Sequence, residues 1–137
     1  MELVYAFLAL NADRSADGKL HVFGGDFDTM QVSALPGLVP PFSAVVKMRV
    51  RPDEFMMPHT FKLDISRPDG VRRESPVTHP LPVTQNARNP EADSYSLVIA
   101  AIQTAFEIPG EYTFHIVVDE HDVAHLPLFV SVAQPAN

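Results

Sequence analysis

The chain has 137 residues, a hydrophobic fraction of 46%, 13 prolines, no cysteine and a formal net charge of −7. This length fits one domain over residues 1–137, and the hydrophobic fraction excludes a wholly disordered chain. The absence of cysteine excludes disulfides, thiolate metal sites and cysteine nucleophiles, while the acidic charge argues against binding to phosphate backbones.

The first apolar stretch, residues 2–10, predicts a central strand that is buried on both faces. It is far shorter than the roughly 20 residues that cross a bilayer. Its one charged residue, Glu2, has the wrong sign for the basic start of a signal peptide. We therefore expect a cytoplasmic protein without a membrane partner.

Residues 13–18 combine Asp, Ser and Gly, which favour a turn. They also resemble the first half of a calcium-binding loop, but the twelfth position of such a loop requires Glu and is Gly24 here. We therefore predict a hairpin turn, followed by a strand at 19–23 and a weaker strand at 26–33. Residues 34–42 are predicted to form a proline-rich crossing loop.

The clearest strand runs from Ala44 to Arg51, where apolar and basic residues alternate strictly. Period-two alternation is the signature of a half-buried strand. The residues predicted to face inward are Val46, Met48 and Val50, and those predicted to face outward are Lys47, Arg49 and Arg51. A second alternating strand, from Phe61 to Ile65, is closed by the turn residues 68–70.

The outward basic residues, with Lys62 nearby, form a candidate nucleic-acid surface. Such surfaces usually add stacking aromatic side chains and a basic net charge, and neither is evident here. We interpret the stripe as a solvated face that pairs with Glu54 or Asp64 across strands, and we predict no nucleic-acid partner.

Three segments between the strands are predicted to be irregular. Met56 and Met57 are expected to cover the open end of the fold rather than form an exposed patch. Residues 71–83 carry three prolines, which are confined to edge strands and bulges, so this segment is predicted to be an edge or a crossover. Residues 85–94 are polar and form the longest predicted loop.

The sequence of residues 95–107 is compatible with either a helix or a strand. Ala100 and Ala101 favour a helix, whereas the β-branched Val98, Ile99 and Ile102 favour a strand. Because the neighbouring segments are strands, we predict a strand here as well.

The last third of the chain predicts a hairpin, with alternating residues over 112–118 and 126–132 around a polar turn at 119–122. Residues 108–112 resemble a tyrosine corner, in which a Tyr hydroxyl bonds to the backbone upstream. Short strands with frequent turns predict an all-β fold: a two-sheet antiparallel immunoglobulin-like sandwich of about 7–9 strands.

Three histidines near this hairpin, His115, His121 and His125, are the candidate metal site. His121 and His125 lie about 13 Å apart if they share a strand, while His115 faces them across the hairpin. We interpret them as solvent-facing histidines and assign no metal ligand. No serine elbow, thiol or phosphate-binding loop is present, so we assign no catalytic residue and no cofactor.

Several features lie in a fixed order over nearly the whole chain. They are the early apolar strand, the turn Asp17–Leu20, residues 24–27, the prolines before Phe42, the segment Pro109–Phe114, the acidic tip and Leu126–Leu128. In this layout the chain resembles an uncharacterised family of small bacterial proteins, a domain of unknown function with a β-sandwich fold. The resemblance implies a stand-alone cytosolic bacterial protein and carries no catalytic residues.

These observations predict a non-enzymatic binding or protein-interaction module. Sandwiches bind through edge strands or end loops, and the partner would be another protein or a second copy of the chain. The segment 76–82 is the predicted protected edge, which leaves the opposite edge free to pair. The alternative is a small metal- or ligand-binding domain, or a hydrolase, that uses the His115, His121 and His125 region.

Overall fold

The computed structural model describes residues 1–133, which form two large β-sheets and one small one. The strands are β1 (Glu2–Arg14), β2 (Leu20–Gly25), β3 (Thr29–Val32), β4 (Gly37–Leu38), β5 (Phe42–Val50), β6 (Thr60–Ser66), β7 (Arg72–Arg73), β8 (His79–Pro80), β9 (Ser94–Ile102), β10 (Ala105–Phe106), β11 (Gly110–Val118) and β12 (His121–Val132). A short 3-10 turn covers Pro52–Glu54. Residues 134–137 of the predicted domain lie outside the described residues. Within the described chain, no helix has the length and apolarity that crossing a membrane requires.

One large sheet has the strand order β2-β1-β5-β9, and the other has the order β3-β12-β11-β6-β7, with β8 also paired to β6. The small sheet pairs β10 with β4. The all-β prediction is confirmed, and the eight described strands of four or more residues fall within the predicted number. The immunoglobulin-like assignment stays a prediction.

The expectation of purely antiparallel pairing is wrong at β3, which pairs with β12 in parallel. The preceding strand, β2, lies in the other large sheet. The chain therefore crosses between sheets before β3 rather than turning back in a tight hairpin, which would have required an antiparallel partner.

The shared interior predicted from the alternation is confirmed. Val46 and Met48 of β5 belong to one buried cluster with Ile116 and Val118 of β11. A second cluster forms around Phe114, whose ring meets Phe42 edge to face at 5.8 Å. Burying one large apolar side chain of this kind stabilises the fold by about 1.5–3 kcal/mol relative to leaving it exposed. Because β5 and β11 contribute buried side chains to both clusters, these two strands form the centre of the core.

The first hairpin is longer than predicted. β1 continues to Arg14, and the turn follows it, with the Gly18 N–H donating to the Ser15 carbonyl at 2.9 Å. Gly24 lies inside β2, where its φ is +60° and an added Cβ would meet Leu10 at 2.6 Å. The strand predicted at 19–23 therefore continues through Gly24, where the positive φ and the close approach of Leu10 favour glycine.

Residues 95–107 are extended, so the strand prediction is confirmed over a helix. The strand is not continuous, because β9 ends at Ile102 and β10 begins at Ala105. The proline-bearing segment 71–83 supplies β7 and β8, which both pair with the free side of β6. Its prediction as an edge is confirmed.

Three surface predictions are wrong. Lys62 lies on β6, in a different sheet from Lys47, so it does not extend the basic stripe. The predicted pairing across strands with Glu54 or Asp64 is also wrong, since Lys62 lies 3.6 Å from Asp64 on the same strand, and Arg49 of the stripe pairs with Glu2 and Asp93 instead. Met56 and Met57 are 89% and 62% exposed, so they do not cover an open end. The loop that carries them follows the turn Pro52–Glu54 and leaves their side chains in solvent.

The tyrosine corner is present. The Tyr112 hydroxyl donates to the Ile108 carbonyl at 2.6 Å and accepts the Ile108 N–H at 3.3 Å. Tyr112 is 3% exposed, and its ring contacts Phe106 with centroids 4.7 Å apart. The corner therefore fixes the entry into β11, the strand at the centre of the six-stranded sheet.

We expect Tyr112→Phe to lower the free energy of unfolding by about 1–2 kcal/mol, because it leaves two backbone groups of Ile108 without their partner. Urea denaturation measures the change. Tyr95→Phe is the matched control, since Tyr95 is 54% exposed, and its expected effect is near zero. Equal effects in the two variants would contradict the stabilising role of the corner.

Candidate functional site

The histidines singled out from the sequence lie on β11 and β12, and the structure brings two of the three together. His115 and His125 are directly opposite each other in the hairpin, with ring centroids 4.8 Å apart. His121 pairs with Val118, and its Nδ1 is 2.8 Å from the Asp119 carbonyl. The candidate group of three histidines therefore does not include His121. The interpretation as solvent-facing histidines is wrong for His115, which is only 9% exposed.

Asp122 takes the third position, and sequence reasoning missed it. Its Oδ2 is 3.4 Å from His125 Nε2 and 3.8 Å from His115 Nδ1. The three ligand atoms all lie within 4.8 Å of one another. We call these residues, His115, Asp122 and His125, the hairpin triad.

The triad forms because β12 contains a bulge. Ile116 pairs with Ala124, but Val117 pairs with Asp122, so Val123 is an extra residue in β12. A bulge of this kind re-aims the neighbouring side chains. The hairpin turn is also shorter than the predicted 119–122, since only two residues, both with positive φ, separate the strands.

Asp64 lies in the same row of the sheet, opposite His115 on its other side. The alternation of β6 predicts an outward, solvated side chain, yet Asp64 is 1% exposed. Residues 72–75 cover it: Arg72 Nη2 donates to its Oδ2 at 2.9 Å, and the Ser75 N–H donates to its Oδ1 at 2.8 Å. The buried carboxylate is therefore fully paired, as a buried charge must be.

Arg72 joins Asp64 to the hairpin triad. Its guanidinium also donates to both carboxylate oxygens of Asp122, Nη1 to Oδ2 at 2.8 Å and Nη2 to Oδ1 at 2.7 Å. The hydrogen bonds from Arg72 hold the pKa of Asp122 well below its usual range. Burial raises the pKa of Asp64, but the bonds from Ser75 and Arg72 outweigh it and lower that pKa overall. Both carboxylates are therefore ionised at neutral pH.

His115 is neutral under the same conditions. Burial lowers its pKa, and the positive charge of Arg72 lowers it further. Its Nε2 is hydrogen bonded to Ser66 Oγ at 2.6 Å. Its Nδ1 is buried and has no hydrogen-bond partner among the described residues, because the 3.8 Å to Asp122 exceeds the length of a hydrogen bond. An orphaned, buried nitrogen thus points toward a carboxylate.

A second feature lies on the open side of the fold, between the edge of β9 and the edge formed by β6, β7 and β8. Two adjoining cavities of about 380 and 490 Å³ share His79, Ala100 and Ala101. The deeper walls are apolar and include Leu63 and Phe114. We call this opening the lateral cleft.

One end of the lateral cleft is closed by residues 81–84. Leu81 is 5% exposed and belongs to the core. Ser96 Oγ donates to the Pro82 carbonyl and Ser94 Oγ donates to the Thr84 carbonyl, each at 2.5 Å. The segment predicted only as a protected edge therefore crosses from one sheet to the other, and it leaves the rest of β9 open.

The edges of the described sheets differ in how they are protected against pairing. Edge strands are usually short, charged, or broken by proline or by a bulge. β7 consists of two arginines, β8 contains Pro80, β3 has four residues, and β2 contains Gly24 and Gly25. β9 has nine residues without a charge or a proline and pairs only with β5. The unprotected edge is thus β9. The edge opposite 76–82 in the six-stranded sheet is β3, which is too short to be an open edge of this kind.

A third cluster joins the hairpin turn to the loop before β6. His59 is 7% exposed, with its Nδ1 2.6 Å from Asp119 Oδ2 and its Nε2 2.7 Å from the Glu54 carbonyl. Both partners are acceptors, so both ring nitrogens donate and the ring is an imidazolium. Burial lowers the pKa of His59, but the hydrogen bonds to Asp119 and Glu54 outweigh it and raise that pKa overall.

Comparison with known proteins gives a family match. A family model described as "Family of unknown function (DUF6941)" matches residues 4–131. No curated protein matches, and no solved structure matches. This match confirms the predicted resemblance to an uncharacterised family.

We expect the free energy of unfolding to fall as the pH rises above about 6.5, the pKa of an unperturbed histidine. The folded state holds its proton on His59 more tightly than the unfolded chain does, so that stability is present below this pH and is lost above it. Urea denaturation across neutral pH measures the slope. His115, whose pKa is lowered, affects stability only at lower pH.

In His59→Gln this slope should disappear, since Gln carries no proton that titrates. His21→Gln is the control, because His21 is exposed on β2, and it should keep the wild-type slope. Identical slopes in wild type and His59→Gln would contradict the imidazolium assignment.

Proposed function

Since the chain belongs to the DUF6941 family of unknown function, which supplies no activity, we propose from its geometry that it is a non-enzymatic protein-interaction module. It binds an extended segment of a partner protein along β9. The observation that carries this proposal is the juxtaposition of an unprotected nine-residue edge strand with the open lateral cleft.

Strand addition uses both features at once. The backbone of an added segment hydrogen bonds to the free side of β9, which supplies affinity. Its side chains alternate between the two faces of the sheet, so every second one enters the lateral cleft. The open part of β9, residues 97–101, spans about 17 Å and accommodates two or three such side chains.

The chemistry of β9 and of the lateral cleft favours an uncharged apolar segment. No residue from Ser94 to Phe106 is charged. Arg73 and Glu74, the charged residues of the lining, are both exposed at the rim, and Arg73 lies 3.5 Å from Glu107. A peptide with alternating apolar residues matches this surface without burying an unpaired charge.

A second copy of the chain fits this edge less well than a peptide does. In each copy, Val98 and Ala100 of β9 already pack against the chain's own core. These side chains are therefore not available to enter the lateral cleft of a neighbouring molecule, whereas the side chains of a free extended segment are.

Sequence features support the binding role, the cellular compartment and the partner class proposed for this module. The lack of a serine elbow, a thiol and a phosphate-binding loop supports a binding role over a catalytic one. The cysteine-free composition is compatible with a reducing cytoplasm, and the resemblance to small bacterial proteins favours a bacterial source. The net charge of −7 opposes a nucleic-acid partner.

Peptides selected from a random display library test the proposal. We expect the selected sequences to alternate apolar residues and to slow amide hydrogen exchange over residues 97–101. Ala101→Lys places a charge on the exposed rim of both cavities and should weaken binding of these peptides by roughly tenfold or more, as lysine does on protected edges.

Val22→Lys is the matched control, because it puts the same charge on β2, the opposite edge of the same sheet. It should leave the affinity nearly unchanged. Peptides that instead protect residues 36–42 would overturn the proposal. So would light scattering that shows a wild-type dimer and an Ala101→Lys monomer, since a second copy would then occupy β9.

A further inference from the structure

We propose that the hairpin triad, His115, Asp122 and His125, binds one divalent first-row transition-metal ion, with Zn²⁺ as the reference case. The triad lies on the outer face of the six-stranded sheet, whereas the lateral cleft opens between the sheets. The proposal therefore stands or fails independently of peptide binding at β9.

Two of the three distances between the ligand atoms are close to those of a tetrahedral site, and all three are within 4.8 Å. With metal–ligand bonds of about 2.0–2.2 Å, neighbouring ligand atoms lie roughly 3.4 Å apart. Asp122 Oδ2 is 3.4 Å from His125 Nε2 and 3.8 Å from His115 Nδ1. Side-chain adjustments of less than about 1 Å bring all three within bonding distance of one ion.

The state of His115 supports a cation at this position. Its Nδ1 is buried and has no hydrogen-bond partner within residues 1–133, and leaving such a group unsatisfied costs about 1–3 kcal/mol. A metal ion between Nδ1 and the carboxylate of Asp122 would satisfy both. A proton cannot do so here, because the 3.8 Å between the two atoms is too long for a hydrogen bond.

The surroundings of the triad also match those of a metal site. A ligating histidine usually donates its other ring nitrogen to a fixed partner, which sets the tautomer and the ring orientation. Ser66 Oγ is placed to accept from His115 Nε2, at 2.6 Å. Arg72 holds the carboxylate of Asp122 with two hydrogen bonds. Two of the three ligands are therefore oriented before an ion arrives.

Arg72 limits the affinity of the site. Its guanidinium shares Asp122 Oδ2 with the ion, and its positive charge repels a cation. Asp64 and Asp122 carry two negative charges, which balance the positive charges of Arg72 and Lys62. Three protein ligands leave one tetrahedral position for water or for a group from another molecule. We therefore expect micromolar binding.

Calorimetric titration of Zn²⁺ into the metal-free, untagged protein tests the proposal. We expect one ion per chain, with a Kd below about 100 µM. His125→Ala removes a ligand that is largely exposed, with 59% of its side chain accessible, so the fold should survive. It should weaken binding by roughly tenfold or more.

His121→Ala is the matched control, because His121 is next to Asp122 in the sequence, but its Nδ1 lies 2.8 Å from the Asp119 carbonyl and is not part of the triad. Its affinity for Zn²⁺ should stay near that of wild type. As a second readout, ¹⁵N NMR should show Zn²⁺ shifting the signals of His115 Nδ1 and His125 Nε2. Absence of saturable binding, or equal losses in His121→Ala and His125→Ala, would overturn the proposal.

Discussion

The buried carboxylate of Asp64 is the interaction on which one whole edge of the six-stranded sheet depends. It is 1% exposed and accepts hydrogen bonds from the Arg72 side chain and the Ser75 backbone, with Lys62 3.6 Å away. Breaking a buried pair of this kind costs about 3–5 kcal/mol, because the remaining charge loses its partner. The chain from 72 to 75 is therefore held firmly against β6.

Both candidate sites follow from that attachment. On the outer face, Arg72 reaches from Asp64 to Asp122 and orients the carboxylate of the hairpin triad. On the inner side, Ser75 and its neighbours form one wall of the lateral cleft. The Asp64 carboxylate thus positions Ser75 in the lining of the lateral cleft, and through Arg72 it positions Asp122 in the hairpin triad.

The parts of the fold that sequence predicted are those that depend on local patterns. Alternation along β5 and β11 identified the core, because successive side chains of a strand face opposite ways. The tyrosine corner was readable because Tyr112 and Ile108 are four residues apart. The sites depend on contacts between distant segments. Alternation along β6 correctly placed Asp64 on the outer face, but its cover comes from residues beyond the next turn. The bulge at Val123, which brings Asp122 into the triad, left no mark in the local sequence.

Amide hydrogen exchange at Ser75 tests most directly whether Asp64 anchors this edge. In wild type the Ser75 amide should exchange slowly, since it donates to Asp64 Oδ1 at 2.8 Å. In Asp64→Ala it should exchange at the rate of an exposed amide, while the amide of Phe114 in the core strand β11 remains slow. A Ser75 amide that exchanges equally fast in both proteins would contradict the account.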